Sequence, residues 1–345
     1  MTELSAGKYW RMRRLADENG RFKMMAIDQR KVLVEPLADR LGIEKPAHGQ
    51  VTLFKQLVVE VLAPQVSAVL LDPYYGYPGA IQALPARCGL LTTIEDAPAE
   101  KRRDGGMMTH LNPHWSVAKG ARAGSDAIKL LVFYRPDVAA DVRRHQQDIV
   151  RRIGAACREH DVLHVLEILD YPLPDDDNAG SSANARYGER IIGSVKDFVA
   201  PEFGVDIFKL PAPVRRAPAP TDTEAVSQTE RVFARLAQAC GRPWVLLSAG
   251  VPEAEFFGLL TYAYQAKASG YLAGRALWQR AIKHFPDRAG VVASLQNGGL
   301  AYLDKVNELT DRLAQPWYLH PCWQGGPQLE GSGETFMSAY SDLVA

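Results

Sequence analysis

The chain has 345 residues, 47% of them hydrophobic, and its 40 Lys and Arg balance its 40 Asp and Glu. This charge balance gives no overall attraction to nucleic acid or to an anionic membrane, so we expect neither as a partner. No apolar run reaches the length of a membrane span, and the start of the chain lacks the apolar core of a signal peptide. Cys88, Cys157, Cys240 and Cys322 are far apart and form no CxxC motif. This spacing is typical of a reducing compartment, and we expect a cytoplasmic protein.

Eight short apolar runs, rich in β-branched residues, recur along the chain and predict strands. They are KMMAID (23–28), SAVLLD (67–72), GLLTTIE (89–95), DAIKLLVFY (126–134), LHVLEIL (163–169), VDIFKLP (205–211), WVLLSAG (244–250) and GYLAGRA (270–276). Amphipathic segments such as DVRRHQQDIVRRIGAACREH and TEAVSQTERVFARLAQAC lie between them and predict helices. The pattern predicts an α/β protein, a (β/α)8 TIM barrel.

A doubly wound sheet is the alternative fold for the same alternation. It would need a Gly-rich turn after the first strand, where this sequence has Asp28, Gln29 and Arg30. We therefore expect one barrel catalytic domain over residues 1–317 and a C-terminal tail over residues 318–345. The aromatic residues of the tail are candidates either for subunit contacts or for covering the chain's own barrel.

One polar side chain lies within or at the end of each predicted strand. These residues are Asp28, Asp72, Glu95, Lys129, Glu167, Lys209, Ser248 and Arg275. Active sites of barrels lie at the carboxyl ends of the strands, so the set predicts a cavity with polar walls.

Lys129 and Lys209 both lie inside apolar runs. Burial and a second nearby ammonium both favour the neutral amine, so a buried lysine pair can supply a Schiff-base nucleophile. Glu167 could then move protons between the amine and a substrate hydroxyl. The alternative is structural: each lysine forms an ion pair with Glu167 or with an aspartate.

The segments LLSAGV (246–251) and LAGRALW (272–278) each end a strand in a turn of small residues that leads into a helix. The loops after the last two strands of a barrel commonly bind phosphate through backbone N–H groups. Arg275 adds a planar fork of donors for phosphate oxygens. These turns predict a phosphate site.

Two other polar clusters have simpler interpretations. His110 and His114 have a spacing that suits metal ligands on a helix, but Pro113 between them indicates a loop. Metal-dependent chemistry that uses these histidines and a carboxylate remains the alternative to a Schiff base. The acidic run at residues 175–177 lacks the alternating oxygen ligands of a calcium loop, so we interpret it as a solvated loop.

Seven motifs, taken in order, resemble the tagatose-1,6-bisphosphate aldolase family. They are AIDQR, LLDPYYG, DAIKLLVFY, VLEILDY, GVDIFKLP, WVLLSAGV and LAGRALW, and the resemblance covers residues 10–317. Members of this family are class I, metal-independent aldolases of the (β/α)8 fold, and the family includes sulfofructosephosphate aldolases. The resemblance therefore implies no cofactor and no metal, a small phosphorylated sugar as partner, and a homo-oligomer.

The resemblance also implies roles for individual residues. Lys209 corresponds to the Schiff-base lysine, Lys129 to the second lysine of the site, and Glu167 to the acid–base glutamate. Asp28 corresponds to a carboxylate of the site that acts with Gln29 on substrate hydroxyls. The phosphate-binding turns correspond to Ser248, Gly250, Gly274 and Arg275, and we add Arg30 and Asp72 as substrate-binding residues.

The expected reaction is reversible cleavage of a phosphorylated ketose, similar to tagatose 1,6-bisphosphate, into dihydroxyacetone phosphate and a three-carbon aldehyde. A sulfofructosephosphate aldolase of the same mechanism is one alternative, and a non-catalytic sugar-phosphate sensor is another. A bisphosphate or a sulfonated substrate needs a second cationic site. The candidates for it are Arg30, Lys31, Lys101, Arg102 and Arg103, although a short basic run is also typical of a solvated loop. We expect a substrate with an anionic C6 group.

Overall fold

The computed structural model describes residues 3–176 and 180–340. Eight parallel strands close into a barrel in which each strand pairs with the next along the chain and the last pairs with the first. They are β1 (Phe22–Ile27), β2 (Ala68–Leu71), β3 (Gly89–Thr93), β4 (Ala127–Phe133), β5 (Leu163–Leu169), β6 (Ile207–Leu210), β7 (Trp244–Leu247) and β8 (Gly270–Ala273). All eight predicted strands and the predicted (β/α)8 barrel are confirmed.

Helices cover the outside of the barrel and its ends. The α-helices are Ala6–Leu15, Lys31–Leu41, His48–Leu62, Gly76–Ala80, Val117–Arg122, Ala140–Glu159, Gly180–Lys196, Thr223–Cys240, Glu253–Gln265, Arg275–Trp278, Arg288–Ser294, Ala301–Leu313 and Phe336–Ala339. The apolar faces of the helices pack on the outward-facing strand residues and form the larger of two hydrophobic clusters. In the connection between β3 and β4, a short antiparallel pair joins Glu100–Lys101 to Met107–Met108, and we call this segment the β3–β4 hairpin (residues 100–108).

The smaller cluster fills the interior of the barrel and closes its amino-terminal end. Met12 and Leu15 of the first helix join Trp317 and Trp323 there, and the two tryptophan rings meet edge to face at 6.0 Å. These two aromatic residues of the last part of the chain therefore cover the chain's own barrel. The pairing of Glu3–Leu4 with Gln328–Leu329 brings the two ends of the chain together beside them.

Two further properties concern the described part of the chain. No helix in it is long and apolar enough to cross a membrane. Its four cysteines are free, and three of them are buried.

The alternation of side chains along the strands places the charged residues predicted for the site. Asp28, Lys129, Glu167 and Lys209 each lie two positions after a residue whose side chain is buried in the barrel interior. Those interior residues are Ala26, Ala127, Val165 and Ile207. Because side chains alternate with a period of two, the charged side chains also point inward, one layer nearer the carboxyl end.

Candidate active site

A cavity of about 300 Å³ opens at the carboxyl ends of the strands. Its polar lining residues are Asp28, Gln29, Arg30, Lys31, Glu95, Asp96, Thr109, Lys129, Glu167, Lys209 and Arg275, and its apolar ones are Val32, Ala97, Pro98, Ala99, Met107, Leu131, Phe133 and Leu169. The fold thus brings together the four residues predicted to be catalytic, Asp28, Lys129, Glu167 and Lys209.

The two buried lysines share one carboxylate oxygen. The Nζ atom of Lys209 lies 2.8 Å from Oε2 of Glu167, and Nζ of Lys129 lies 2.9 Å from the same oxygen. Glu167 on β5 and Lys209 on β6 are aligned partners in adjacent strands, which fixes this contact. Lys129 also lies 3.0 Å from Oδ2 of Asp28 and 2.9 Å from Oε1 of Glu95. Lys129 therefore has three carboxylate partners, while Lys209 has one.

The pKa values follow from this distribution of charge. Burial alone would lower the pKa of Lys129, but Asp28, Glu167 and Glu95 outweigh it and raise that pKa well above its ordinary value. Burial would raise the pKa of Asp28, but Lys129 and Lys209 lower it well below its usual range. The surroundings of Lys129 therefore favour its ammonium form.

Glu95 belongs to the same cluster, although the sequence analysis assigned it only to the end of a predicted strand. It accepts hydrogen bonds from the hydroxyl of Thr93 and, at 3.1 Å, from the N–H of Leu131. Burial would raise the pKa of Glu95, but Lys129 and Arg30 lower it, so Glu95 stays ionised. The inward-pointing alternation of Leu91, Thr93 and Glu95 was the signal available in the sequence.

Two buried acceptors at the cavity have no hydrogen-bond partner within the described protein. They are Oδ1 of Asp28 and Oε1 of Gln29. An unsatisfied buried acceptor is costly, so a ligand with hydroxyl donors would complete both groups. Gly274 makes room for Gln29, because a Cβ at Gly274 would lie 2.8 Å from Nε2 of Gln29.

The predicted phosphate turns converge on Arg275. Its guanidinium donates to the carbonyl of Ala249 at 2.9 Å and lies against Gly250, where a Cβ would be 2.4 Å from Cζ. Gly250 has a φ of 80°, a backbone conformation that favours glycine, and a side chain there would displace the Arg275 guanidinium. The N–H of Gly274 donates to Oγ of Ser248 at 3.4 Å. Of the four predicted phosphate-binding residues, Arg275 is the one that lines the cavity, and the turns lie directly behind it.

Arg275 has an unusual charge environment. Among the described residues, no carboxylate lies within salt-bridge distance of its guanidinium. Burial lowers its pKa, and Glu167 partly offsets this effect. A half-buried cation with its charge unneutralised is a suitable partner for a phosphate.

The structure contradicts the assignment of Asp72 as a substrate-binding residue. Strand β2 ends at Leu71, and the fully buried Asp72 carboxylate pairs with Lys55 and accepts the N–H groups of Tyr74 and Tyr75 at 3.2 and 2.7 Å. Lys55 also donates to the carbonyl of Ile27 at 2.8 Å, directly before Asp28. Burial lowers the pKa of Lys55, and Asp72 opposes this effect. The Lys55–Asp72 pair thus supports the cavity from behind.

Arg30 and Lys31 line the cavity but already have partners. Arg30 donates to the carbonyl of Glu95 at 2.8 Å and lies 3.7 Å from the carboxylates of both Glu95 and Asp96. Lys31 lies 3.6 Å from Glu35, one turn along the same helix, with 62% of its side chain exposed. The Arg30 side chain therefore stabilises the cavity wall, and it is also a candidate contact for the substrate.

The basic run at residues 101–103 lies outside the cavity. Arg102 pairs with Asp141 and, at 3.3 Å, with Asp104, and both partners are largely exposed. This arrangement agrees with the interpretation of the run as a solvated loop.

The remaining polar clusters are also occupied by protein contacts. His110 pairs with Glu100 at 2.8 Å, and no group of three or more His, Cys, Asp or Glu in the described ranges is arranged to hold a metal ion. Asp176 forms an ion pair with the buried Arg135, so the interpretation of the acidic run as solvated is wrong for Asp176. Asp177 lies outside the described residues.

Comparison with known proteins gives a consistent set of relatives. The DeoC/LacD family aldolase model matches residues 22–280. The chain is 31% identical over 328 residues to tagatose 1,6-diphosphate aldolase 2 of Enterococcus faecalis, covering 92% of this chain and 98% of the relative. It is 32% identical over 331 residues to tagatose 1,6-diphosphate aldolase of Streptococcus agalactiae, covering 91% and 98%. It is 32% identical over 327 residues to the enzyme of that name in Listeria monocytogenes, covering 92% and 96%.

Solved structures share the fold at low sequence identity. Fructose-bisphosphate aldolase from Plasmodium falciparum superposes with a TM-score of 0.66 at 15% identity, covering 91% of this chain and 99% of the other. An archaeal fructose 1,6-bisphosphate aldolase superposes with a TM-score of 0.58 at 12% identity, covering 88% and 98%.

Proposed function

The chain belongs to the DeoC/LacD family of aldolases, and from this premise we propose that it cleaves a phosphorylated ketose through a Schiff base on Lys209. The observation that carries the proposal is the single oxygen of Glu167 that lies 2.8 Å from Lys209 and 2.9 Å from Lys129. This arrangement provides one amine with an acid–base partner and a second, permanently charged ammonium beside it.

The first steps form the iminium. Glu167 accepts a proton from Lys209, and the free amine attacks the C2 carbonyl of the ketose. Glu167 then returns a proton to the oxygen of the resulting carbinolamine, which leaves as water, and the nitrogen of Lys209 becomes the iminium. Lys129 keeps its charge throughout, because Asp28 and Glu95 also lie within 3.0 Å of it.

The iminium acts as the electron sink for carbon–carbon cleavage. A carboxylate removes the proton of the C4 hydroxyl, the electrons of that O–H bond form the aldehyde carbonyl, and those of the C3–C4 bond form an enamine. Asp28 is the candidate for the removal of this proton, because its Oδ1 is buried and has no hydrogen-bond partner within the described residues. Protonation of the enamine at C3 and hydrolysis then release dihydroxyacetone phosphate.

The phosphate end of the substrate is assigned to the turns after β7 and β8. Arg275 faces the cavity with no carboxylate at salt-bridge distance within the described part of the chain, and Ser248, Gly250 and Gly274 shape the turns behind it. The C1 phosphate is attached to the carbon next to C2, which Lys209 attacks, and Arg275 and Lys209 line the same cavity. Tagatose 1,6-bisphosphate, from the names of the relatives, and sulfofructose 1-phosphate are the candidate substrates that share this C1 phosphate.

The test is borohydride reduction in the presence of dihydroxyacetone phosphate, followed by mapping of the modified lysine. We expect the adduct on Lys209 in the wild-type protein and in Lys8→Met, which alters a buried lysine at the other end of the barrel, and none in Lys209→Met. An adduct confined to Lys129 would reverse the two lysine roles. Absence of any adduct would refute the Schiff-base mechanism, and binding without turnover of any ketose phosphate would favour a sensor.

A further inference from the structure

The cavity has two ends of different chemistry, set by the order of strands around the barrel. Arg275 follows β8, and β4 lies four places from β8 in the closed ring of eight. The wall opposite the phosphate turns is therefore built by β4 and its neighbours. If the C1 phosphate lies at Arg275, this opposite wall meets the far end of the ketose.

Beyond Lys129, towards the carboxyl end of β4, the opposite wall is apolar. Its lining side chains are Pro98, Ala99, Met107, Leu131, Phe133 and Leu169. The polar side chain on this side is Thr109, a neutral group whose hydroxyl donates to the carbonyl of Leu131 at 3.2 Å. Apolar atoms give a phosphate or sulfonate no hydrogen bonds in exchange for its water.

The wall is also held in place by contacts outside the cavity. The ring of Phe133 meets that of Tyr171 edge to face at 6.4 Å. The hydroxyl of Tyr171 accepts a hydrogen bond from the N–H of Met107 at 3.2 Å, which ties the β3–β4 hairpin to the same aromatic pair. These contacts hold Phe133 and the backbone of Met107 in the wall.

Two cations that line the cavity beside this wall have carboxylate partners, and Lys101, the cross-strand partner of Met107, does not line the cavity. Arg30 lies between Glu95 and Asp96, and Lys31 lies beside Glu35. In the described part of the chain, no other Lys or Arg lines the cavity apart from Lys129 and Lys209, which are in the central cluster, and Arg275. An anionic C6 group would therefore lie close to Asp96 and Glu95 with no net positive charge to hold it.

We infer that the far subsite takes an uncharged end, so that the substrate is a ketose 1-phosphate with a hydroxymethyl or methyl group at C6. This inference rests on the proposed function and replaces the expectation of an anionic C6 group. The cavity has one anion site, at Arg275, and one apolar site opposite it. The methyl group would contact the wall directly, and a hydroxymethyl group would reach Thr109.

The direct test compares kcat/KM for three ketose 1-phosphates that differ only at C6, which carries methyl, hydroxymethyl or phosphate. We expect the two neutral substrates to exceed the C6 phosphate at least about tenfold, because the charged group loses water without gaining a partner. The kcat/KM values for the methyl and hydroxymethyl substrates should agree within about fivefold, because contact of one small apolar group with an apolar wall changes binding by about that factor. Preference for the C6 phosphate would overturn the inference.

A pair of neighbouring methionines supplies the variant and its matched control. Met107 lines the cavity, while Met108, the next residue of the same short strand, does not. Met107→Lys should raise kcat/KM for the C6-phosphate substrate relative to the neutral ones about tenfold, and Met108→Lys should leave that ratio unchanged. Equal effects of the two substitutions would contradict the subsite. If Lys31→Gln lowered kcat/KM for the C6-phosphate substrate and left the neutral substrates unchanged, Lys31 would hold an anion at the far end and the inference would be wrong.

The trapping experiment separates this inference from the function on which it rests. Dihydroxyacetone phosphate has no C6, so its borohydride adduct on Lys209 does not depend on the far wall. An adduct together with preference for a C6 phosphate refutes the subsite and leaves the aldolase mechanism standing. Absence of the adduct refutes the mechanism whatever the C6 preference.

Discussion

Lys129→Met is the substitution whose consequences the structure defines most sharply. Three carboxylates, Asp28, Glu95 and Glu167, have oxygens within 3.0 Å of the Lys129 ammonium, whose side chain is 2% exposed. Methionine keeps most of the volume and removes the charge. The buried carboxylates are then left facing one another, with Lys209 and Arg30 as the nearest cations.

The expected loss of stability at neutral pH is about 3–5 kcal/mol, the usual cost of removing one partner of a buried ion pair. Its pH dependence follows from the pKa shifts. In the wild-type protein Asp28 and Glu95 have lowered pKa values, so their stabilisation is present above about pH 4 and is lost as the pH falls through the folded values. Without Lys129, burial and mutual repulsion raise these pKa values, so the variant gains stability as the carboxylates take up protons.

The stability deficit of Lys129→Met should therefore be smaller at pH 5 than at pH 8. Urea unfolding at the two pH values measures it, and the borohydride adduct on Lys209 measures the site. Lys8→Met is the control, because Lys8 is also buried and paired with one carboxylate, Asp206 at 2.7 Å, away from the cavity. The control should lose stability and keep adduct formation. A deficit for Lys129→Met that is constant or larger at pH 5 would refute the assigned charges.

Three further outcomes are expected. Lys55→Met should lower kcat more than it raises KM, because it releases the carbonyl of Ile27 next to Asp28, and a kcat equal to that of Lys8→Met would contradict this positioning role. Gly250→Ala should raise KM for any ketose 1-phosphate about tenfold, since its Cβ displaces the Arg275 guanidinium and its backbone adopts a left-handed conformation, and an unchanged KM would remove this turn from the phosphate site. Prolonged chelation should leave turnover unchanged, and activity lost to a chelator and restored by zinc would show a metal-dependent aldolase instead.

The sequence predicted the barrel and the centre of the site because both depend on local periodicity. Once the strands are identified, side chains alternate with a period of two, so Lys129 points inward as Ala127 does, and Lys209 points inward as Ile207 does. The same rule fails at Asp72. Extending the alternation beyond Leu71 would point Asp72 inward, but the strand ends there, and the carboxylate turns to Lys55 on a helix 17 residues earlier.

Contacts between distant parts of the chain account for the other differences. Asp176 lies in a run that reads as a polar loop, yet it pairs with Arg135, 41 residues away, at the end of β4. The basic run at 101–103 lies after the third strand, and which way it faces depends on the β3–β4 hairpin and on Asp141 in the helix that follows β4. No local pattern encodes the partner of a charge, so sequence alone could place Glu95 at the cavity but could not identify Lys129 and Arg30 as its partners.

The two lysines share one oxygen of Glu167 but differ in their other carboxylate partners. In the proposed mechanism, a proton that passes from Lys209 to Glu167 would leave Lys129 with Asp28 and Glu95, so the second ammonium would stay paired while the first lysine became an amine. The proposed iminium on Lys209 would again be a cation beside the same carboxylate. The mechanism would then need no rearrangement of charge between the resting state and the intermediate, which is the condition for electrostatic preorganisation. Exchanging the roles of the lysines would break this condition, because Lys129 would have to lose its proton in the presence of three carboxylates.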